Sequence, residues 1–226
     1  MNFYRHLPSR ESLDHRVDQY AMEPLKVNGH FHTPFSFSAF DSLQQLINMA
    51  EEERVEVLGI NDFYTMAGYA EFAHLAMEHR KFPLFNIEFM GLLKEEQEKG
   101  IRVNDPNNPG RTYFSGKGLD FPGSLAGNSR EKLESVRAES EKQTREMVAK
   151  AGTHLAQIHP NLSLDYQEIL ESYTKGMVRE RHIAKAIREK IFQVFSREED
   201  RMEILSQILG GKEIKASPDD AVALEG

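Results

Sequence analysis

The chain has 226 residues, 28 Lys and Arg against 36 Asp and Glu, a formal net charge of -8 and no cysteine. This composition suits one globular domain with appendages, long enough to bury roughly 70% of the surface its unfolded form exposes. It excludes disulfide frameworks, thiol catalysis and thiolate zinc sites, and the acidic balance speaks against a general nucleic-acid binder, which collects basic charge to neutralise phosphates.

The opening segment, residues 1–24, lacks the apolar core of a signal peptide and reads as an extension. No later run has the length of a membrane span, so a cytoplasmic address is expected. Residues 26–32 (KVNGHFH) read as a strand whose period of two puts His30 and His32 on one face. Leu43, Leu46, Ile47 and Ala50 then recur at helical spacing, behind Asp41 and Gln44 in the order of a capping box. The compact run 55–61 (VEVLGIN) is a buried strand ending at Asp62, a second helix follows over about 67–80, and 83–89 (PLFNIEF) is a third strand carrying Glu88. Strand, helix, strand, helix, strand is a parallel α/β order.

The rhythm breaks at residues 92–130, rich in Asn, Pro and Gly, which read as one long binding or lid loop. A charged helix from Ser129 to about Gly152 leads to 153–159 (THLAQIH), read as a fourth strand closed by Pro160. Beyond it, the spacing of Ile183, Ile187, Ile191 and Val194, and of Met202, Leu205 and Leu209, predicts helices. Gly110 to Lys117 superficially suggests a phosphate loop, but five residues separate its glycines and Gly118 stands where Ser or Thr is required.

His30 and His32 are the sharpest chemical signal, since two imidazoles on one strand face can hold the same ion. Asp62, Glu88 and His159 each fall at a predicted strand end, where parallel α/β folds build their sites. The mixed imidazole and carboxylate set suits zinc, manganese or iron. Glu88 is the expected bridging ligand, and Asp62 ligates an ion, supports a His ligand or caps the helix after it. Arg111 and Lys117 are nominated to meet a substrate phosphate. His154, an odd offset from His159, and His6, His15, His74 and His79 read as packing or surface.

These residues resemble the PHP (polymerase and histidinol phosphatase) family of metal-dependent phosphoesterases over about residues 26–160. Gly29-His30-Phe31-His32-Thr33 is similar to its first-strand His-x-His, Asn61-Asp62-Phe63 to its Thr-Asp-His, Asn86-Ile87-Glu88 to its Gly-Ile-Glu, and Ile158-His159-Pro160 to its Ala-His-Pro. The resemblance implies a distorted (β/α)7 TIM-like barrel with up to three clustered metal ions, His30, His32, Glu88 and His159 being ligands and Asp62 and Glu88 serving the catalytic centre. Phe63 stands where that family has a ligating His, and no Asp-x-His follows His159.

The expected organisation is therefore an extension over 1–24, a metal-binding α/β domain of PHP type over 25–160 that makes an incomplete barrel, and a helical segment over 161–226. The expected activity is hydrolysis of a small-molecule phosphate ester by a metal-activated water, with neither nucleic acid nor membrane as partner. A homo-oligomer or a C-terminal segment would cover the open barrel. The rival readings are an amidohydrolase-like metal hydrolase and a metal-binding interaction module without activity.

Overall fold

A computed structural model describes residues 8–16 and 24–211; His6 lies outside them. The chain forms two compact units, Met1–Glu131 and Lys132–Gly226. After the short helix α1 (Arg10–Asp14), the first unit runs β1 (Val27–Phe31), α2 (Leu43–Glu52), β2 (Val57–Phe63), α3 (Tyr69–Glu78), β3 (Phe82–Leu92), α4 (Lys94–Glu98) and β4 (Arg111–Gly116). The strands make one sheet in the order β1-β2-β3-β4. The first three are parallel, and β4 returns antiparallel to β3.

The first three strands and two helices stand where the hydrophobic pattern predicts them, each displaced by a few residues. The cap of α2 is Ser42, not Asp41: its hydroxyl accepts from the Gln45 N–H at 3.1 Å, and Gln45 Oε1 accepts from the Asp41 N–H at 2.7 Å. The cap thus sits one residue later than the Asp41–Gln44 spacing suggests, and because Gln45 reaches the N–H of the residue before the cap, the reciprocal box does not close. The segment 92–130 is not one loop. It holds α4 and β4, and Asp105 organises the turn between them, accepting from the N–H groups of Asn107 and Asn108. The Asn104 amide donates to the Tyr113 carbonyl at 2.7 Å and accepts the Tyr113 N–H at 2.9 Å, which satisfies that residue of β4 on the side away from β3.

One face of the sheet is apolar. Phe31, Leu58, Ile60 and Phe85 pack there against Leu43, Leu46 and Ile47 of α2 and Phe72 and Ala76 of α3. The other face carries the polar residues, and the chain arranges this with a bulge. Asn28 pairs with Leu58 and Phe31 with Ile60, so Gly29 and His30 together oppose Gly59. The extra residue shifts the side-chain phase, so that Phe31 points into the core while His30 and His32 turn to the opposite face. The bulge needs the glycine across from it: a Cβ on Gly59 would lie 2.4 Å from the Gly29 carbonyl oxygen.

The second unit is helical. The fourth strand read over 153–159 is absent, because those residues complete the long helix α5 (Gly127–Ile158), which is followed by α6 (Tyr166–Tyr173), α7 (Glu180–Val194) and α8 (Glu198–Ile208). Val148 of α5 packs with Tyr166, Ile169, Val178, Ile183 and Ala186, and Leu155 packs with Leu162, Ile191, Ile204 and Leu205. Four strands stand among the described residues where the resemblance implies seven, and β4, antiparallel and drawn from the expected loop, is not the fourth strand of that expectation.

His182 begins α7, its Nδ1 accepting from the Arg179 N–H at 3.0 Å. Burial, with the charges of Arg179 and Lys185, pushes its pKa down from 6.5 to about 4.

Two outcomes are expected. Gly59→Ala forces the β1 and β2 backbones apart and costs about 1–3 kcal/mol, seen as a melting temperature lower by about 3–10 °C; an unchanged melting curve would show that the close approach is not needed. For His182, the unfolded chain binds a proton between pH 6.5 and about 4 that the folded unit refuses, so stability falls as pH falls through that window. His182→Asn keeps an acceptor for the Arg179 N–H without titrating, and urea unfolding at pH 7 and 4.5 should show a shallower pH dependence in the variant than in the parent.

Candidate metal centre

Glu88 is the hub of the polar face. Its side chain is 7% exposed, with Oε2 lying 2.9 Å from His30 Nε2 and 3.2 Å from His32 Nε2. Potential ligand atoms of the three residues all fall within 4.8 Å of one another, a grouping suited to a metal ion. The strand register sets this up. Phe63 pairs with Glu88 across β2 and β3, and Glu88 with Ser115 across β3 and β4, so one row of the sheet carries the aromatic ring, the carboxylate and the hydroxyl.

Asn61, two residues before Phe63 and on the same face, reaches the centre. Its Nδ2 donates to Glu88 Oε2 at 2.6 Å and lies 2.8 Å from His30 Nε2 and 3.1 Å from Ser115 Oγ. Its Oδ1 accepts from Lys117 Nζ at 3.2 Å, and the same ammonium donates to the Gly29 carbonyl, which the bulge exposes, at 3.2 Å. Asn86 ties the segment after β4 down, its Oδ1 accepting from the Gly118 N–H.

Burial raises the Glu88 carboxyl, but the hydrogen bonds and charges of His32 and His30 outweigh it and hold the group below its ordinary value. Burial lowers the Lys117 amine, against the opposing pull of Glu88.

The donor set fits a divalent ion. Ligands 2.0–2.2 Å from a tetrahedral ion lie roughly 3.3 Å apart, close to the separations of both imidazole nitrogens from Glu88. The hydrogen-bond inventory points the same way. Asn61 Nδ2, with two hydrogens to give, lies against three atoms, Glu88 Oε2, Ser115 Oγ and His30 Nε2, and the last of these also faces Glu88 Oε2. An ion on the His30 lone pair leaves the two hydrogens for Glu88 and Ser115. His32 is held by its rings: Phe63 stacks on it with centroids 4.7 Å apart and Phe37 meets it edge-on, while its buried Nδ1 has no hydrogen-bond partner among the described residues.

Of the residues nominated from the sequence, His30, His32 and Glu88 come together and Lys117 joins them through Asn61. Asp62 faces the other side of the sheet. Both its oxygens are engaged in the turn after β1, Oδ1 by the Thr33 N–H at 2.7 Å and the Ser36 hydroxyl at 2.6 Å, Oδ2 by the Thr33 hydroxyl at 2.6 Å. Burial raises its pKa further than these bonds and the His32 charge lower it. It does not cap α3, whose N-cap is Gly68. Arg111 stands at the far end of β4, paired with Leu92, with its guanidinium 3.6 Å from Asp105. His159 belongs to the second unit, just past the end of α5 rather than on a strand; its Nδ1 accepts from the Asn161 N–H and its ring meets Phe195 edge-on.

Asn61 and Ser115 are the site residues that sequence reasoning missed. Asn61 carried a signal: it is the one amide in an apolar run and shares strand parity with Phe63.

No family model and no curated protein matches the chain. Among solved structures, a protein from Bifidobacterium adolescentis described as a "putative metal-dependent phosphoesterase" matches with a TM-score of 0.51 at 16% identity, over 87% of this chain and 58% of that one. An amidohydrolase from Chromobacterium violaceum, solved with bound sulfate and no metal, matches at a TM-score of 0.47 and 15% identity, over 78% of this chain and 52% of that one. The chain therefore spans little more than half the length of either. The first likeness shows a shared α/β fold; the second is too slight to add to it.

Elemental analysis of the purified chain after dialysis against zinc or manganese should find near-stoichiometric metal, and His30→Ala/His32→Ala should retain less than about a tenth of it, since losing ligands costs at least 10-fold in affinity. Equal metal in both proteins would place the ion elsewhere.

Proposed function

We propose that the chain carries the metal centre of a hydrolase of PHP type that cleaves small-molecule phosphate esters. The observation that carries this reading is the convergence of His30, His32 and Glu88 on one face of the sheet, at the C-terminal end of β1 and of the part of β3 that pairs in parallel with β2.

His30, His32 and Glu88 would hold the ion. A divalent metal there brings a water's pKa toward neutrality and neutralises charge on a phosphate oxygen. The remaining work falls to the chain. Glu88, held ionised by its imidazole neighbours, supplies the negative charge that retains the cation. Asn61 fixes the carboxylate by donating to Oε2 and is itself oriented by the Lys117 ammonium on its other atom. Phe63 covers the flat side of His32 and keeps water from it. His30, with half its side chain exposed, lies on the open side where a substrate enters. Asp62 acts at a distance, holding Thr33 and Ser36 so that the backbone leaving His32 keeps one course.

A second reading, a metal-binding module without turnover, is favoured by the phenyl ring of Phe63 at the position where the resemblance implies a ligand. One assay separates them. With zinc or manganese and a chromogenic phosphate monoester, the parent should turn over substrate, while Glu88→Gln should lose about 100-fold or more in kcat/KM and keep the parent's circular dichroism spectrum. Metal binding without turnover on monoesters or diesters would leave the module reading standing.

A further inference from the structure

Lys117 is the feature of the centre that ligand chemistry leaves unexplained. An ammonium repels a divalent cation, yet this one stands beside the three ligands, with Asn61 between it and Glu88. Its position is built. Gly118 donates to Asn86 and Leu119 to the Phe85 carbonyl, which fixes the backbone directly after it. Two of the three ammonium hydrogens go to Asn61 Oδ1 and the Gly29 carbonyl. The residue is exposed, so the third is left to whatever enters from solvent.

The carboxylates point to the same conclusion. Glu88 is the one carboxylate in the ligand group among the described residues, since Asp62 faces away with both oxygens engaged. Among the described residues a second divalent ion would find no further anionic ligand there, and the phenyl ring of Phe63 cannot coordinate one. With one ion bound and both imidazoles neutral, the ion, Glu88 and Lys117 leave the centre two formal positive charges. A phosphate monoester, close to a dianion at neutral pH, matches that charge; a diester matches half of it.

Resting on the hydrolase reading above, we infer that the centre holds one metal ion and that Lys117 is its second cation, an anion-receiving group that takes a phosphate oxygen opposite the ion. The site thereby trades some affinity for metal against affinity for the dianion.

The test is two titrations of the full chain and its Lys117→Met and Lys117→Arg variants, zinc first and then inorganic phosphate on the zinc-loaded protein, followed by calorimetry. The parent should bind one zinc per chain. Lys117→Met removes a positive charge near the ion and should bind zinc about 10-fold more tightly, while its affinity for phosphate falls about 10-fold. Lys117→Arg should bind both as the parent does to within a few-fold. If Lys117 only straps Asn61 and Gly29 together, Lys117→Met will bind zinc more weakly; that result, or unchanged phosphate binding, overturns the assignment while the metal reading stands. Two zinc ions per parent chain also overturn it, and no zinc on the parent overturns both.

Discussion

The structure of the polar face follows from one constraint, the burial of Glu88. A carboxylate taken out of water must be surrounded by donors or positive charge, because an unpaired buried charge costs several kcal/mol. Every nearby choice answers that need. Two imidazoles approach one oxygen, an amide donates to the same oxygen, and a lysine ammonium stands behind the amide. The strands supply these groups because residues two apart share a face, and because the bulge at Gly29 and His30 corrects the phase of β1 so that its histidines meet the glutamate. Gly59 belongs to the same logic: its missing Cβ makes room for the bulge, and the bulge frees the Gly29 carbonyl to accept from Lys117.

Asp62 and Glu88 show how one residue of register separates two acidic groups. Both are buried, on adjacent strands and one residue apart in register. Glu88 falls on the polar face and is held ionised by imidazole; Asp62 falls on the other face, where hydroxyls and one amide meet it and burial keeps its pKa high. The first is suited to a cation, the second to fixing a turn.

Much of this arrangement was legible in the sequence, and the losses have physical causes. The apolar runs of β2 and β3 and the spacing of Leu43, Leu46, Ile47 and Ala50 identified the parallel part of the sheet, since buried strands and a one-sided helix leave strong patterns. The His-x-His pair and Glu88 were recoverable because parity and strand ends place them together. The run THLAQIH misled because Leu155 and Ile158, three apart, suit a helix face as well as a short strand, and Val148 seven residues before Leu155 was the deciding helical sign. β4 was hidden by the Asn, Pro and Gly residues ahead of it, although Thr112, Tyr113 and Phe114 are strand formers. The partners of Asn61 and Lys117 lay beyond any local pattern, because they come from strands far apart in sequence.

The side-chain amide of Asn104 on Tyr113 has a consequence for how the protein behaves in company. An edge strand is a template on which another chain can lay itself, and sheets that leave it bare are prone to stack into fibres. Here the main-chain N–H and C=O of Tyr113 are already taken by a group from the same molecule. An approaching strand would have to strip that amide away before its first hydrogen bond formed, beside a phenyl ring at Phe114 that is more than half exposed. The 104–110 turn is thus less a connector than a guard: the residue at its head holds the outward hydrogen-bonding groups of Tyr113 closed to a neighbouring strand.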